Sequence, residues 1–184
     1  MQVYSWRKGS NDVVSQEVFE RKYKMQKLIE GVEIKRLERH ADERGSLCEI
    51  MRKDWSVFEE FAMTYFSVTY PGVVRAWHCH PRTKQKDFFC VLQGMAKVVV
   101  YDQREKSPTK GLINELTIGE DAPILLKIPG ECWHGFKAVG IKPVVLINFP
   151  TELYDYENPD EERLPPDTDK IPYDWKLNPW LKHG

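Results

Sequence analysis

Two short histidine-bearing stretches constrain this chain more than anything else in it. The first reads Gly72-Val-Val-Arg75-Ala-Trp-His78-Cys-His80, continues through Gln85-Lys-Asp87, and ends in Phe88-Phe-Cys-Val-Leu-Gln-Gly94. The second reads Ile128-Pro-Gly-Glu-Cys-Trp-His134-Gly135-Phe136. Both set their histidines among β-branched and aromatic residues and are bounded by Gly or Pro. That is the grammar of short strands joined by tight turns. Between them lies a further strand centred on Val98-Val-Val100. Pairing such strands brings His78, His80 and His134, three of the five histidines in the chain, into one cavity. A lone histidine is usually structural. Three of them with Arg75, in two matching turn contexts, point to a functional site.

The rest of the chain repeats the pattern. Val32, Ile34 and Leu37 alternate with Glu33, Lys35 and Arg36, a half-buried strand over 31–39. A turn follows over 40–45, and a strand resumes at 46–52. Further strands are expected at 62–70, 113–118, 124–128, 136–139 and 144–149, with a hairpin over 86–103 turning at Gln93-Gly94. Residues 55–61 are expected as a short helix or loop. About nine short strands at spacings of about 8–12 residues predict an all-β sandwich or barrel with few helices.

The two ends differ from this middle. Residues 1–31 are polar and charged, with a helix candidate over 16–29, and form an arm. Residues 32–150 form the barrel domain. Residues 151–184 are acidic, aromatic and proline-rich, which predicts an ordered wrap rather than a floppy tail.

A chain of 184 residues is one domain with room for a real core. Its formal charge of -1 gives no field that would draw it to nucleic acid or an acidic membrane. No apolar run is long enough to span a bilayer, and the first residues lack an apolar signal core, so a cytoplasmic location is expected. The four cysteines form no C-x-x-C pair. Cys48 and Cys90 are expected as reduced core residues. Cys79 and Cys132, next to the pocket histidines, are expected to face away from the cavity because strand side chains alternate.

The motifs resemble the cupin superfamily, whose fold is a double-stranded β-helix or jelly roll. Within it the resemblance is closest to the dTDP-4-dehydrorhamnose 3,5-epimerase family, the RmlC-like nucleotide-sugar epimerases. It covers roughly residues 30–176. The matching pieces are Asp42-Glu-Arg44-Gly45 with Glu49, Gly72 to His78, Ser107-Pro108-Thr109-Lys-Gly111, Ile128 to Phe136, and Ile171-Pro-Tyr-Asp-Trp175. The resemblance implies an isomerase without cofactor, acting on a nucleoside-diphosphate 4-keto-6-deoxy sugar, and a homodimer that shares N-terminal strands. It casts His78 as the base, oriented by Asp167 or its rival Asp169. Arg75 and Arg44 become anion contacts, with Glu49 facing substrate and His134 hydrogen-bonding beside it.

This chain also departs from the family pattern. Where the family carries a lysine that polarises the substrate oxygen, counting back from Gly94 gives Asp87, and Lys86 takes the role only after a one-residue shift. The strand over 144–149 lacks the family's tyrosine, the opposite-face acid; Tyr154 and Tyr156 follow a few residues on. Leu47 replaces an aromatic residue. His80 and Asp87 are additions, and with His78 and His134 they make an alternative ligand set for a divalent transition metal. Sugar 3,4-ketoisomerases of the same superfamily share His78-Cys-His80 and are a second alternative.

Overall fold

The computed structural model describes residue 13 and residues 27–176. Among these there is no helix. The twelve strands are β1 (Glu33–Arg36), β2 (Arg39–Asp42), β3 (Gly45–Cys48), β4 (Tyr65–Thr69), β5 (Val74–Cys79), β6 (Asp87–Gln93), β7 (Met95–Tyr101), β8 (Ile113–Gly119), β9 (Ile124–Ile128), β10 (Trp133–Val139), β11 (Val144–Asn148) and β12 (Glu162–Arg163). Two five-stranded sheets run β1-β9-β6-β11-β4 and β12-β5-β10-β7-β8, and β2-β3 forms a separate hairpin. Every pairing is antiparallel. The architecture is the cupin jelly roll.

Side-chain alternation builds the core between the sheets. Phe89, Val91, Leu126 and Leu146 of one sheet meet Val98, Val100, Leu116 and Phe136 of the other. Full burial of such side chains contributes roughly 1.5–3 kcal/mol each. The outer faces are covered as well. Trp55, Val57 and Leu37 pack on Phe88, Cys90 and Leu125. Ile171 and Trp175 of the C-terminal segment pack on Trp77, Cys79 and Val99, with the Trp77 and Trp175 rings 4.9 Å apart. Strands buried on both faces read as apolar runs, which is why β6 and β9 show little alternation in sequence.

The expected hairpin over 86–103 is not formed. β6 and β7 belong to different sheets, so the chain crosses the sandwich at Gly94. That residue has φ 74, and a Cβ there would lie 2.5 Å from the Pro143 carbonyl oxygen. Only glycine fits both demands. Residues 55–61 are loop, without a helix. The expected strand over 31–39 divides into β1 and the start of β2. The helix expected over 16–29 falls mostly outside the described residues; residues 27–29 are not helical, and Ile29 is buried in the core with its N–H on Asn114 Oδ1 at 2.8 Å.

Cys79, Cys90 and Cys132 are buried and Cys48 is half-buried, all as free thiols. Beside the barrel, Ser107 and Thr109 of the matched Ser-Pro-Thr motif donate to the buried carboxylate of Asp102 at 2.5 and 2.6 Å. Arg104 completes that cluster.

Candidate active site

Alternation along β5 sends His78 and His80 to the same face and Cys79 to the opposite one, where it is fully buried. β10 pairs with β5 so that His134 stands opposite His78. The register then slips before Phe136 pairs with Arg75, which leaves an extra residue in β5. Two glycines permit this packing. A Cβ on Gly135 would sit 2.3 Å from Ala76 Cβ, and one on Gly130 would sit 1.9 Å from the Gln85 carbonyl oxygen. Gly130 also accepts the His80 N–H at 2.6 Å.

Asp87 opens β6 on the other sheet, buried beneath these histidines. Its Oδ1 accepts N–H groups from Asn148 at 2.6 Å and Gln85 at 3.0 Å. Its Oδ2 lies 3.2 Å from His134 Nε2 and 3.5 Å from His80 Nε2. Burial pushes this carboxyl upward, but His134, His80 and the Asn148 amide outweigh it and hold it well below the usual carboxylate range.

Among the described residues His78 has no such carboxylate contact. Its ring is 4.4 Å from that of His134, in edge-to-face arrangement. Burial first, and then the neighbouring His134, keep its pKa well below the ordinary value, so the ring is neutral and able to accept a proton.

These groups open on a cavity of about 1070 Å³, lined by His78, His80, Gln85 and Asp87 and also by Tyr65, Arg75, Asn148, Tyr154, Tyr156 and Arg163. The Tyr65 hydroxyl accepts from Asn148 Nδ2 at 2.9 Å, and Asn148 Oδ1 takes the Phe88 N–H at 3.0 Å, which fixes the amide. Burial, and then Asp87, raise the Tyr65 pKa and keep the hydroxyl protonated. Arg75 Nε donates to Thr69 Oγ1 at 2.8 Å.

Four residues singled out from the sequence stand elsewhere. Arg44 lies on the exposed β2-β3 hairpin, paired with Asp42. Glu49 pairs with Arg52 at 2.6 Å. Lys86 pairs with Glu59 in a separate shallow pocket, because it precedes Asp87 by one residue and so leaves on the other side of the strand. Asp167 is exposed, as is Asp169, and it is Pro165 and Pro166 that reach the cavity. The carboxylate beside the histidines is therefore Asp87. His134 is fully buried beside His78 and does not line the cavity. Tyr65, Asn148 and Arg163 were not legible as site residues, since β4-β11 and β5-β12 pairing alone brings them in.

Comparison with known proteins gives a consistent result. The family model described as dTDP-4-dehydrorhamnose 3,5-epimerase matches residues 26–182. The chain is 53% identical over 148 residues to the probable low-salt glycan biosynthesis epimerase of Haloferax volcanii, covering 80% of this chain and 94% of that one. The crystal structure of a dTDP sugar isomerase from Desulfovibrio desulfuricans superposes with TM-score 0.75 at 35% identity, covering 80% of this chain and 92% of the other. NovW, a 4-keto-6-deoxy sugar epimerase from the novobiocin gene cluster of Streptomyces spheroides, superposes with TM-score 0.72 at 25% identity, covering 81% and 76%. The chain is a carbohydrate epimerase and belongs to the dTDP-4-dehydrorhamnose 3,5-epimerase family.

Proposed function

We propose that this protein epimerises a nucleoside-diphosphate 4-keto-6-deoxy sugar at a carbon next to the C4 ketone. His78 removes the proton, and Tyr65 returns one to the opposite face. The carbonyl acidifies the neighbouring C–H, so the step needs a base, an acid across the ring, and positive charge near the developing enolate oxygen. The observation that carries this reading is that His78 lines the cavity from one sheet and Tyr65 from the other. A sugar ring between them presents one face to each. Arg75 and Arg163 line the same cavity and suit a diphosphate. Tyr154 and Tyr156, with rings 4.9 Å apart and inclined at 71°, offer an aromatic ring face for a nucleobase. The 4-keto-6-deoxy substrate class follows NovW, and a role in glycan assembly follows the Haloferax relative.

The same reading makes the protein a cytoplasmic homodimer. β4 is a sheet edge that exposes Phe66 and Val68, and Tyr70 just beyond it is exposed too. A second copy covering that edge would remove a pairing liability. It would also give the projecting hairpin with Arg44 and Glu49 a surface to reach.

The test is incubation with a 4-keto-6-deoxy nucleotide sugar in deuterated buffer, followed by NMR. Deuterium should enter at C3, C5 or both, and His78→Asn should abolish exchange. Tyr65→Phe should slow formation of the epimer by about 10²–10⁴-fold while exchange on the His78 face continues. No exchange in the wild-type protein would overturn the reading.

A further inference from the structure

β11 carries no tyrosine, and Tyr65, which lines the cavity from the sheet opposite that of His78, comes from the neighbouring strand β4. What β11 contributes is Asn148, which is buried and stands opposite Tyr65 in the register. We propose that Asn148 is a positioning residue for the epimerisation: it holds the Tyr65 hydroxyl by its oxygen, leaves the hydrogen for the sugar carbon, and steadies the phenolate that remains. This inference rests on the reading of Tyr65 as the opposite-face acid and deepens it.

The orientation of the Asn148 amide is set by groups with no choice of role. The buried Phe88 N–H can only donate, and it lies 3.0 Å from Asn148 Oδ1. The amide nitrogen must then face the other way, with two hydrogens to give. One goes to Asp87 Oδ1 at 2.6 Å, a carboxylate held ionised and therefore able only to accept. The other goes to the Tyr65 hydroxyl oxygen at 2.9 Å. Turning the amide over would set its oxygen against the carboxylate and its N–H against the Phe88 N–H, two repulsive contacts. The backbone braces the same place, since the Thr64 hydroxyl donates to the Asn148 carbonyl oxygen at 2.9 Å. An amide nitrogen cannot accept, so the contact with Tyr65 occupies a lone pair of the phenol oxygen and leaves its hydrogen unused.

The chemistry needs that hydrogen and strains that oxygen. His78 takes the proton from the carbon beside C4, and the bonding electrons move into the ketone as an enolate. Tyr65 then gives its O–H proton to the opposite face of the same carbon, and the ketone reforms. His78 is left as imidazolium and Tyr65 as phenolate, and exchange of one proton each with solvent resets the pair. Burial, and then the Asp87 charge, disfavour the phenolate, while the Asn148 N–H works the other way. A hydrogen bond to an oxyanion is stronger than one to a neutral hydroxyl. This one therefore tightens as the proton leaves, which is the condition for speeding the step. The arrangement also gives the buried carboxylate a task. Asp87 Oδ1, which accepts from Gln85 Nε2 at 3.0 Å as well, anchors one Asn148 hydrogen and so aims the other at Tyr65.

The experiment follows a 4-keto-6-deoxy nucleotide sugar in deuterated buffer by NMR and reads two rates. Deuterium entering substrate of unchanged configuration reports the His78 half of the reaction, and epimer formation reports the Tyr65 half. Asn148→Ala should slow epimer formation about 10–100-fold, the size of a hydrogen bond to a charged group, with deuterium entry and KM within a few-fold of wild type. In the Tyr65→Phe background the same substitution should slow epimer formation no further, because the bond it removes is already gone. Additive losses, or two rates falling in step, would overturn the proposal and mark Asn148 as structural. If Tyr65→Phe slows epimer formation and Asn148→Ala does not, this proposal alone fails. If Tyr65→Phe leaves epimer formation unchanged, the acid reading fails and this one falls with it. Should Asn148→Ala not fold, side-chain amide NMR of Tyr65→Phe decides: one Asn148 Nδ2 proton resonance should shift, and the one on Asp87 should stay nearly in place. Neither moving would overturn the proposal.

Discussion

Gly135 packs against Ala76 where β10 crosses the bulge of β5, and this contact sets the spacing of the two histidine strands. The pair His78 and His134, opposite one another at 4.4 Å, depends on that approach.

A methyl group at position 135 would overlap Ala76 Cβ and come within 2.7 Å of the Arg75 carbonyl oxygen. Gly135→Ala is therefore expected to destabilise the fold by about 1–3 kcal/mol, as overpacking does. Urea denaturation reads the loss, and exchange activity should fall with it because His78 moves. An unchanged midpoint would show that β5 can yield without cost.

Arg75 is held by Thr69, itself buried, at the cavity wall. A charge-assisted contact to a diphosphate contributes about 1.5–3 kcal/mol. Arg75→Ala should raise KM by roughly 10- to 100-fold and leave kcat within a few-fold. A fall confined to kcat would instead place Arg75 at the reacting carbon.

Asp160 clamps the 81–85 loop to the C-terminal segment, accepting from Thr83 Oγ1 at 2.6 Å and Arg82 Nε at 3.1 Å. Burial raises its pKa, but the Thr83 and Arg82 donors outweigh that and bring it from 3.8 to about 2. A carboxyl lowered by folding stabilises the protein above its unfolded value, and that contribution disappears as pH falls through the folded one. Between pH 3.8 and about 2 the unfolded chain binds the extra proton, so stability should drop with acid in that window. Asp160→Asn should flatten this part of the profile, measured by denaturation at stepped pH. An identical slope in the variant would rule out the clamp as its source.

Asp102 is fully buried and accepts from Arg104 N, Nε and Nη2, from the Ser107 and Thr109 hydroxyls and from the Cys132 thiol. Replacing it by Ala leaves a guanidinium and two hydroxyls without their acceptor. Loss of about 3–5 kcal/mol is expected, by the rule for breaking a buried charged pair. Calorimetric unfolding checks this, and a change below about 1 kcal/mol would mean that water replaces the carboxylate.

Burial pushes the thiols of Cys79, Cys90 and Cys132 up to about 12. Cys48 is half-buried, and burial raises its pKa as well. A thiol reagent at neutral pH should label Cys48 first in the native protein and all four after denaturation. Mass spectrometry of labelled peptides distinguishes the sites; early labelling of Cys79 would mean that β5 opens from the C-terminal wrap.

Much of this molecule follows from local chemistry. The Gly- and Pro-bounded apolar runs specify short strands, and a strand's period of two puts His78 and His80 on one face with Cys79 behind. The matching stretch around His134 then closes the jelly roll. Local chemistry does not say which strand pairs with which. Gly94 reads as a hairpin turn, yet the chain uses it to change sheets, because the space beside it belongs to Pro143, which is distant in sequence. Tyr65 and Asn148, 83 residues apart, meet only through β4-β11 register. Asp87 is the same kind of case: its sequence position leaves Lys86 a rival, and only sheet packing decides that the carboxylate turns inward beneath His80 and His134 while the lysine turns out to Glu59. The sequence by itself determined the strands and the convergence of histidines, since both rest on side-chain period and turn chemistry. The tertiary structure alone decided the charge of the cavity floor, because that depends on contacts between segments that the chain brings together only on folding.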